Sequence, residues 1–251
     1  MAPAWLFALA SVIVVSLASL IGIVTFSVNE QRMRGAIFTM VSLAVGAMFG
    51  DAFIHLLPES FAQSPATVWT SIYILAGIFI FFLLEKFLLW RHEHLPQERN
   101  HTIHPVGYMN LIADGLHNLI DGLLIGASYL VSIQVGLGTT IAVLLHEIPQ
   151  EIGDFGVLIH AGFSKTRALF LNFLCGTLSI AGALIALSMG HLVKGFPLVI
   201  LPLTAGGFIY IAGTDLVPEL HKERQPAKSV VQMIAIGLGV GLMLLLTLLP
   251  V

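Results

Sequence analysis

The sequence predicts an all-α polytopic membrane protein with eight transmembrane helices, and three observations predict it. Hydrophobic residues fill 57% of the 251 positions and charged residues only 10%, against about 25% charged in a soluble globular domain. The mean hydropathy is +0.95. Apolar runs of the roughly 20 residues that cross a bilayer recur near 4–28, 35–58, 66–90, 105–130, 135–161, 165–190, 196–219 and 229–250. An ordinary soluble enzyme is excluded, and residues 1–251 are expected to form a single transmembrane domain. With 11 Lys+Arg against 14 Asp+Glu, no basic surface is available for nucleic acid. Cys175 stands alone, which excludes an internal disulfide and a Cys-rich zinc knuckle.

Taken in order, span 1 is too long for a signal-peptide core and lacks a basic head or small-residue cleavage site, so it is expected to span. Span 2 carries Asp51, His55 and Glu59 at i, i+4 and i+8. Span 3 leads into a loop with His92, His94, His101 and His104, which read first as solvated side chains and second as a weak metal-accepting or regulatory loop. Span 4 places Asp114, His117, Asn118 and Asp121 at i, i+3, i+4 and i+7, on one helix face. Span 5 places His146, Gln150 and Asp154 on one stripe and Glu147, Glu151 and Asp154 on the next. There Pro149 removes a donor and frees the Leu145 carbonyl, so the helix is expected to kink or loosen. In span 6, Asn172 reads as an oxygen ligand or a packing contact, and Cys175 as a small apolar residue. Span 7 ends in Asp215 and Glu219, and span 8 carries no acid.

Cations fix the expected orientation. Ten of the eleven, Arg32, Arg34, Lys86, Arg91, Arg99, Lys165, Arg167, Lys222, Arg224 and Lys228, fall on one side, leaving Lys194 on the other. That side is expected to be cytoplasmic, with both termini outside, in a multi-pass protein of the cell membrane. The acids behave differently. Asp51, Glu59, Glu85, Asp114, Asp121, Glu147, Glu151, Asp154, Asp215 and Glu219 lie within or at the ends of spans, where a charge near the helix centre costs about 2.5–3.5 kcal/mol on insertion scales. Protons or bound metal cations must offset them. A polar stripe serving only helix packing would not need two acids and a histidine. Imidazole, amide and carboxylate groups on facing helices suit a divalent ion of borderline hardness: Zn2+ first, then Fe2+, Mn2+ or Cd2+, with Cu(I) disfavoured by the lack of thiolates.

The strings HNLIDG at 117–122 and HEIPQEIGDFG at 146–156 closely resemble the ZIP (Zrt-, Irt-like protein) metal transporters. GDAFIHLLPES at 50–60 and DLVPEL at 215–220 are also similar to segments of that family, and the matches fall in family order over essentially the whole chain. The resemblance implies transport of divalent metal, most readily zinc, into the cytoplasm through a binuclear centre on spans 4 and 5. His117, Asp121, His146 and Gln150 would hold the first ion, and Asn118 and Glu147 the second, with Asp121 and Gln150 available to both. Glu151 would be a ligand or would orient one. Gln150 departs from the second His of many eukaryotic members, which leaves the choice of metal open.

A shift of 160 residues lays Gly46, Leu57, Pro58 and Glu59 over Gly206, Val217, Pro218 and Glu219. This has the form of an inverted repeat of spans 1–3 and 6–8 around central spans 4–5. Asp51, His55 and Glu59 then read as the entry path, and Asp114, Asp154, Asp215 and Glu219 as the exit path. For Glu59 and Glu219, an interfacial cap is the alternative reading. The competing function is a zinc-dependent intramembrane hydrolase, since His146-Glu147-x-x-Gln150 resembles an HExxH lacking its second His. A hydrolase needs one hydrated pocket, whereas here the acids are spread through the whole membrane depth. No G-x-x-x-x-G-K-[ST] stretch is present, and no cofactor is expected. The expected partners are divalent metal ions and membrane lipid, with a homodimer left open.

Overall fold

Each apolar run becomes a helical rod, and the rods change their winding where the sequence interrupts them. The computed structural model describes residues 2–26, 30–64, 67–93, 105–193 and 195–248. The first rod is α1 (Ala2–Ala18), which tightens into a 3-10 segment, Ser19–Phe26. The second is α2 (Glu30–Gly50), a π-helical segment Asp51–Leu56, and α3 (Leu57–Gln63). Next come α4 (Thr67–Glu93), α5 (Pro105–Val131) and α6 (Ile133–His160). The sixth rod is α7 (Lys165–Gly176) followed by α8 (Leu178–Leu192). The seventh is α9 (Phe196–Tyr210), a π-helical segment Ile211–Leu216, and α10 (Val217–His221), and the last is α11 (Pro226–Leu246). No strand occurs among the described residues.

Six of these rods are long and apolar enough to cross a membrane. The other two, α5 and α6, have 27 and 28 residues, about 40 Å of helix at 1.5 Å per residue, and carry the acids instead. They join through Ser132 alone, whose hydroxyl accepts from the Val135 N–H at 3.1 Å. Five crossings separate the end of the second rod from that of the seventh. The α3 side and the α10 side are therefore opposite faces of the bundle.

The 160-residue offset is a property of the structure as well as of the sequence. Asp51–Leu56 and Ile211–Leu216 are both π-helical. In the first, the Leu57 N–H bonds to the carbonyl of Ala52, and in the second the Val217 N–H bonds to that of Ala212. Each bond skips five residues and comes just before a proline, Pro58 or Pro218. A proline ring collides with the carbonyl four residues back, and the wider π turn moves that carbonyl aside. Packing repeats as well, with an offset of 160 residues between α2 and α9 and of 162 between α4 and α11. A Cβ on Gly46 would overlap the Ile236 carbonyl oxygen and one on Gly239 that of Leu43, joining α2 to α11. A Cβ on Gly206 would overlap the Ile74 carbonyl oxygen and one on Gly77 that of Leu203, joining α9 to α4. Backbones this close are the way helices associate inside a bilayer. Even the breaks in the first and sixth rods correspond: Ser19 Oγ donates to the Ser16 carbonyl at 2.6 Å, and Ser179 Oγ to the Gly176 carbonyl at 2.8 Å.

Candidate metal centre

The α5–α6 hairpin sets the height of the centre. His117 lies 15 residues before Ser132 and His146 lies 14 after it, so the two imidazoles meet at one level. Their Nε2 atoms are 3.3 Å apart. His146 Nδ1 is 3.0 Å from the Ala142 carbonyl oxygen, an acceptor, so it carries the proton and leaves the Nε2 lone pair aimed inward. His117 Nε2 donates to that lone pair when it carries its own proton, and with the proton on Nδ1 it turns a second lone pair towards the same point, where a cation can take both. Asp121 Oδ2 lies 3.2 Å from His146 Nε2 and 3.8 Å from His117 Nε2. Glu147 Oε1 lies 3.4 Å from His117 Nε2 and 3.8 Å from His146 Nε2. A tetrahedral zinc site with bonds of about 2.0–2.1 Å has edges of about 3.3–3.4 Å; three of these five separations lie close to that and the two at 3.8 Å are wider, so the four groups need only a small contraction to close on one ion.

Electrostatics agree with the geometry. Asp121, Glu147, Glu151, Asp114 and Asp51 are all buried, while every lysine and arginine whose side chain is described is exposed. Both carboxylate oxygens of Asp121 and of Glu147 lack a hydrogen-bond partner. Such groups are costly without a compensating charge. The N–H and O–H groups nearby are already engaged. Asn118 Nδ2 donates to Asp114 Oδ1 at 2.8 Å, which leaves Asn118 Oδ1 unpartnered. Asn172 Nδ2 donates to Glu151 Oε2, leaving Glu151 Oε1 and Asn172 Oδ1 unpartnered.

The structure thus brings His117, Asp121, His146 and Glu147 together. Gln150 lines two cavities on the α10 side, one together with His117 and the other together with His146. One, of about 250 Å³, is lined by Asp114, His117, Gln150, Asp154, Tyr210 and Ile211. The other, of about 820 Å³, reaches from His146 and Gln150 past Ile211 to Glu219 and Lys222. Glu219 is exposed and ion-paired with Lys222. On the α3 side, Asp51 and His55 are buried against each other, Oδ1 to Nδ1 at 2.8 Å. Glu59 accepts from Gln63 Nε2 at 2.7 Å near the surface. The side chains of Asp215 and of His92, His94, His101 and His104 lie outside the described residues. The helix α6 stays helical through Pro149.

Sequence reasoning passed over Thr139 and Ser128. Thr139 Oγ1 donates to Asp51 Oδ2 at 2.9 Å and lies 3.0 Å from Ser128 Oγ. Both continue the metal-facing stripes, Thr139 seven residues before His146 and Ser128 seven after Asp121. That spacing was the available signal. Between the two levels, Ala142 and Val143 are fully buried, and Phe208 sets its ring edge-on to His146 at 6.4 Å.

The family of ZIP zinc transporters matches the chain over residues 2–105 and 91–247. Zinc transporter ZIP13 of Pongo abelii is 38% identical over 223 residues, covering 83% of this chain and 66% of the relative. Zinc transporter zipt-7.1 of Caenorhabditis briggsae is 32% identical over 313 residues, covering 97% and 79%. Zinc transporter SLC39A7 of Rattus norvegicus is 28% identical over 336 residues, covering 96% of this chain and 72% of the relative. The chain therefore spans about two thirds of the length of the Pongo ZIP13 relative. Members of this family are transporters and not enzymes, so the hydrolase reading is set aside, and by the extent of these matches the chain belongs to the ZIP zinc transporter family.

Proposed function

We propose that this divalent-metal transporter moves zinc into the cytoplasm, with the ion held by His117, Asp121, His146 and Glu147 partway across. The carrying observation is the set of four ligand atoms, three on buried side chains and one on the half-buried His117, all within 4.8 Å of one another with no buried cation beside them among the described residues. Asn118 Oδ1 and the second Glu147 oxygen, both buried and unpartnered, form a second, oxygen-rich position. Glu151 orients Asn172 and offers one oxygen to that position. Gln150 is a ligand of the release step, since it lines both cavities. Asp51, His55 and Glu59 form the entry, and Asp114, Asp154, Asp215 and Glu219 the exit. Fe2+, Mn2+ and Cd2+ compete as harder or softer ions of similar charge.

Cation placement supports a cytoplasmic α10 side and external termini in the cell membrane. Residues 1–251 act as one transmembrane unit. Exposed apolar side chains such as Trp69, Phe79 and Leu238 are the surface offered to lipid or to a second copy. A membrane potential alone contributes about 4.6 kcal/mol per 100 mV to entry of a divalent ion. Zinc uptake into proteoliposomes holding the purified protein, with iron, manganese and cadmium as competitors, is the test. Saturable zinc entry is expected, and liposomes no faster than protein-free controls would overturn the reading.

A further inference from the structure

The one carboxylate on the α3-side π segment is held by a hydroxyl from across the bundle. Asp51 Oδ2 receives Thr139 Oγ1 at 2.9 Å, and its other oxygen faces His55 Nδ1 at 2.8 Å. Thr139 is on α6, seven residues from the metal ligand His146, and Ser128 Oγ on α5 stands 3.0 Å from the same hydroxyl. Space for this junction is made at Gly138, where a Cβ would press on Asp51 Oδ1 and on His55 Nδ1. With Nδ1 turned to Asp51, the buried His55 Nε2 has no partner. Asp51 Oδ2 and His55 Nε2 are thus the groups an entering ion would need, and one of them is taken by Thr139.

We propose that Thr139 is a positioning residue that competes with the ion for Asp51: its hydroxyl ties α6 to the second rod when the α3 side is shut and gives way when metal arrives. The pseudo-equivalent of Asp51, 160 residues on, is Ile211, which has no polar group to offer and lines both α10-side cavities. The residue that anchors the latch on the α3 side is thus matched by an isoleucine on the α10 side. This rests on the transport reading for its direction. The latch itself is a contact between two helices, whichever ion is carried.

The test compares Thr139→Val, which keeps the shape and removes the hydroxyl, with Thr139→Ser, which keeps the hydroxyl. A reporter Ala142→Cys, in a Cys175→Ser background, sits on the buried turn between Thr139 and His146. A membrane-impermeant thiol reagent is added from the α3 side. Loss of a hydrogen bond to a charged group shifts such an equilibrium by roughly tenfold, so Thr139→Val should label roughly tenfold faster and Thr139→Ser at the parent rate. In zinc uptake, Thr139→Val should lower KM and lower kcat together, because Asp51 is freed for the ion while reclosure slows. Equal labelling and equal KM in Thr139→Val and parent would overturn the latch, as would an equal change in Thr139→Ser. Zinc uptake by the unaltered protein tests the transport reading separately, so the two can fail independently.

Discussion

The two π-helical segments share a backbone and differ in what they carry. On the α3 side the segment opens with Asp51, which is buried, paired with His55 and gripped by Thr139. On the α10 side it opens with Ile211, which lines two cavities leading away from the centre. Polar groups on the first side largely satisfy one another. On the second, Asp114 Oδ2 and Asp154 Oδ2 are left without partners, against His55 Nε2 on the first. An inverted repeat gives a transporter two chemically similar gates, and side-chain differences at matched positions decide which gate rests shut. At the first position of the two segments that difference is a carboxylate in place of an isoleucine, while His55 is matched by Asp215, whose side chain lies outside the described residues.

The comparison is broken most severely at the centre between the two halves. His146→Ala or Asp121→Ala removes one of four ligands, and zinc uptake normalised to protein in the membrane should fall by at least about tenfold. Normal uptake in both variants would detach the centre from transport. Acidification should act in the same direction: protons compete with metal for imidazole and carboxylate ligands, so uptake should fall as the pH on the entry side drops. A steady rise from pH 7.5 to 5.5 would point to proton-driven entry.

Smaller effects sharpen the contrast between the halves. The double change Asp114→Asn with Asp154→Asn removes two acids from the α10-side path, and kcat should fall several-fold with little change in KM. Gln150→His adds an imidazole, a better zinc ligand than an amide oxygen, at the mouth of both cavities. Paired zinc and manganese uptake should shift towards zinc, with maximal flux level or reduced because release is harder. An unchanged ratio would mean that Gln150 never meets the ion. Glu219→Gln should change uptake by less than about twofold, since an exposed ion pair contributes little. A large loss there would move the exit path outward.

The rods were legible because hydropathy and length are summed over whole helices, and the stripes on α5 and α6 because helical spacing alone places Asp114, His117, Asn118 and Asp121 on one face. The π segments were not. Pro58 and Pro218 announce a disturbance, but whether the helix kinks or widens depends on which carbonyl can move, and that is settled by the helices packed around it. Hydroxyls were nearly as opaque: Ser42, Ser60 and Thr140 bond back to carbonyls four residues earlier, the usual habit in apolar helices, and only its place seven residues before His146 sets Thr139 apart from them.

The account turns on one ion held by two imidazoles and two carboxylates between a latched half and an open one. Zinc-edge X-ray absorption on the purified protein loaded with one equivalent of zinc reads that shell directly. Four nearest neighbours are predicted, two of them imidazole nitrogens at about 2.0–2.1 Å, with one imidazole lost in His146→Ala. A six-coordinate, all-oxygen shell, or a spectrum that His146→Ala leaves unchanged, would contradict it.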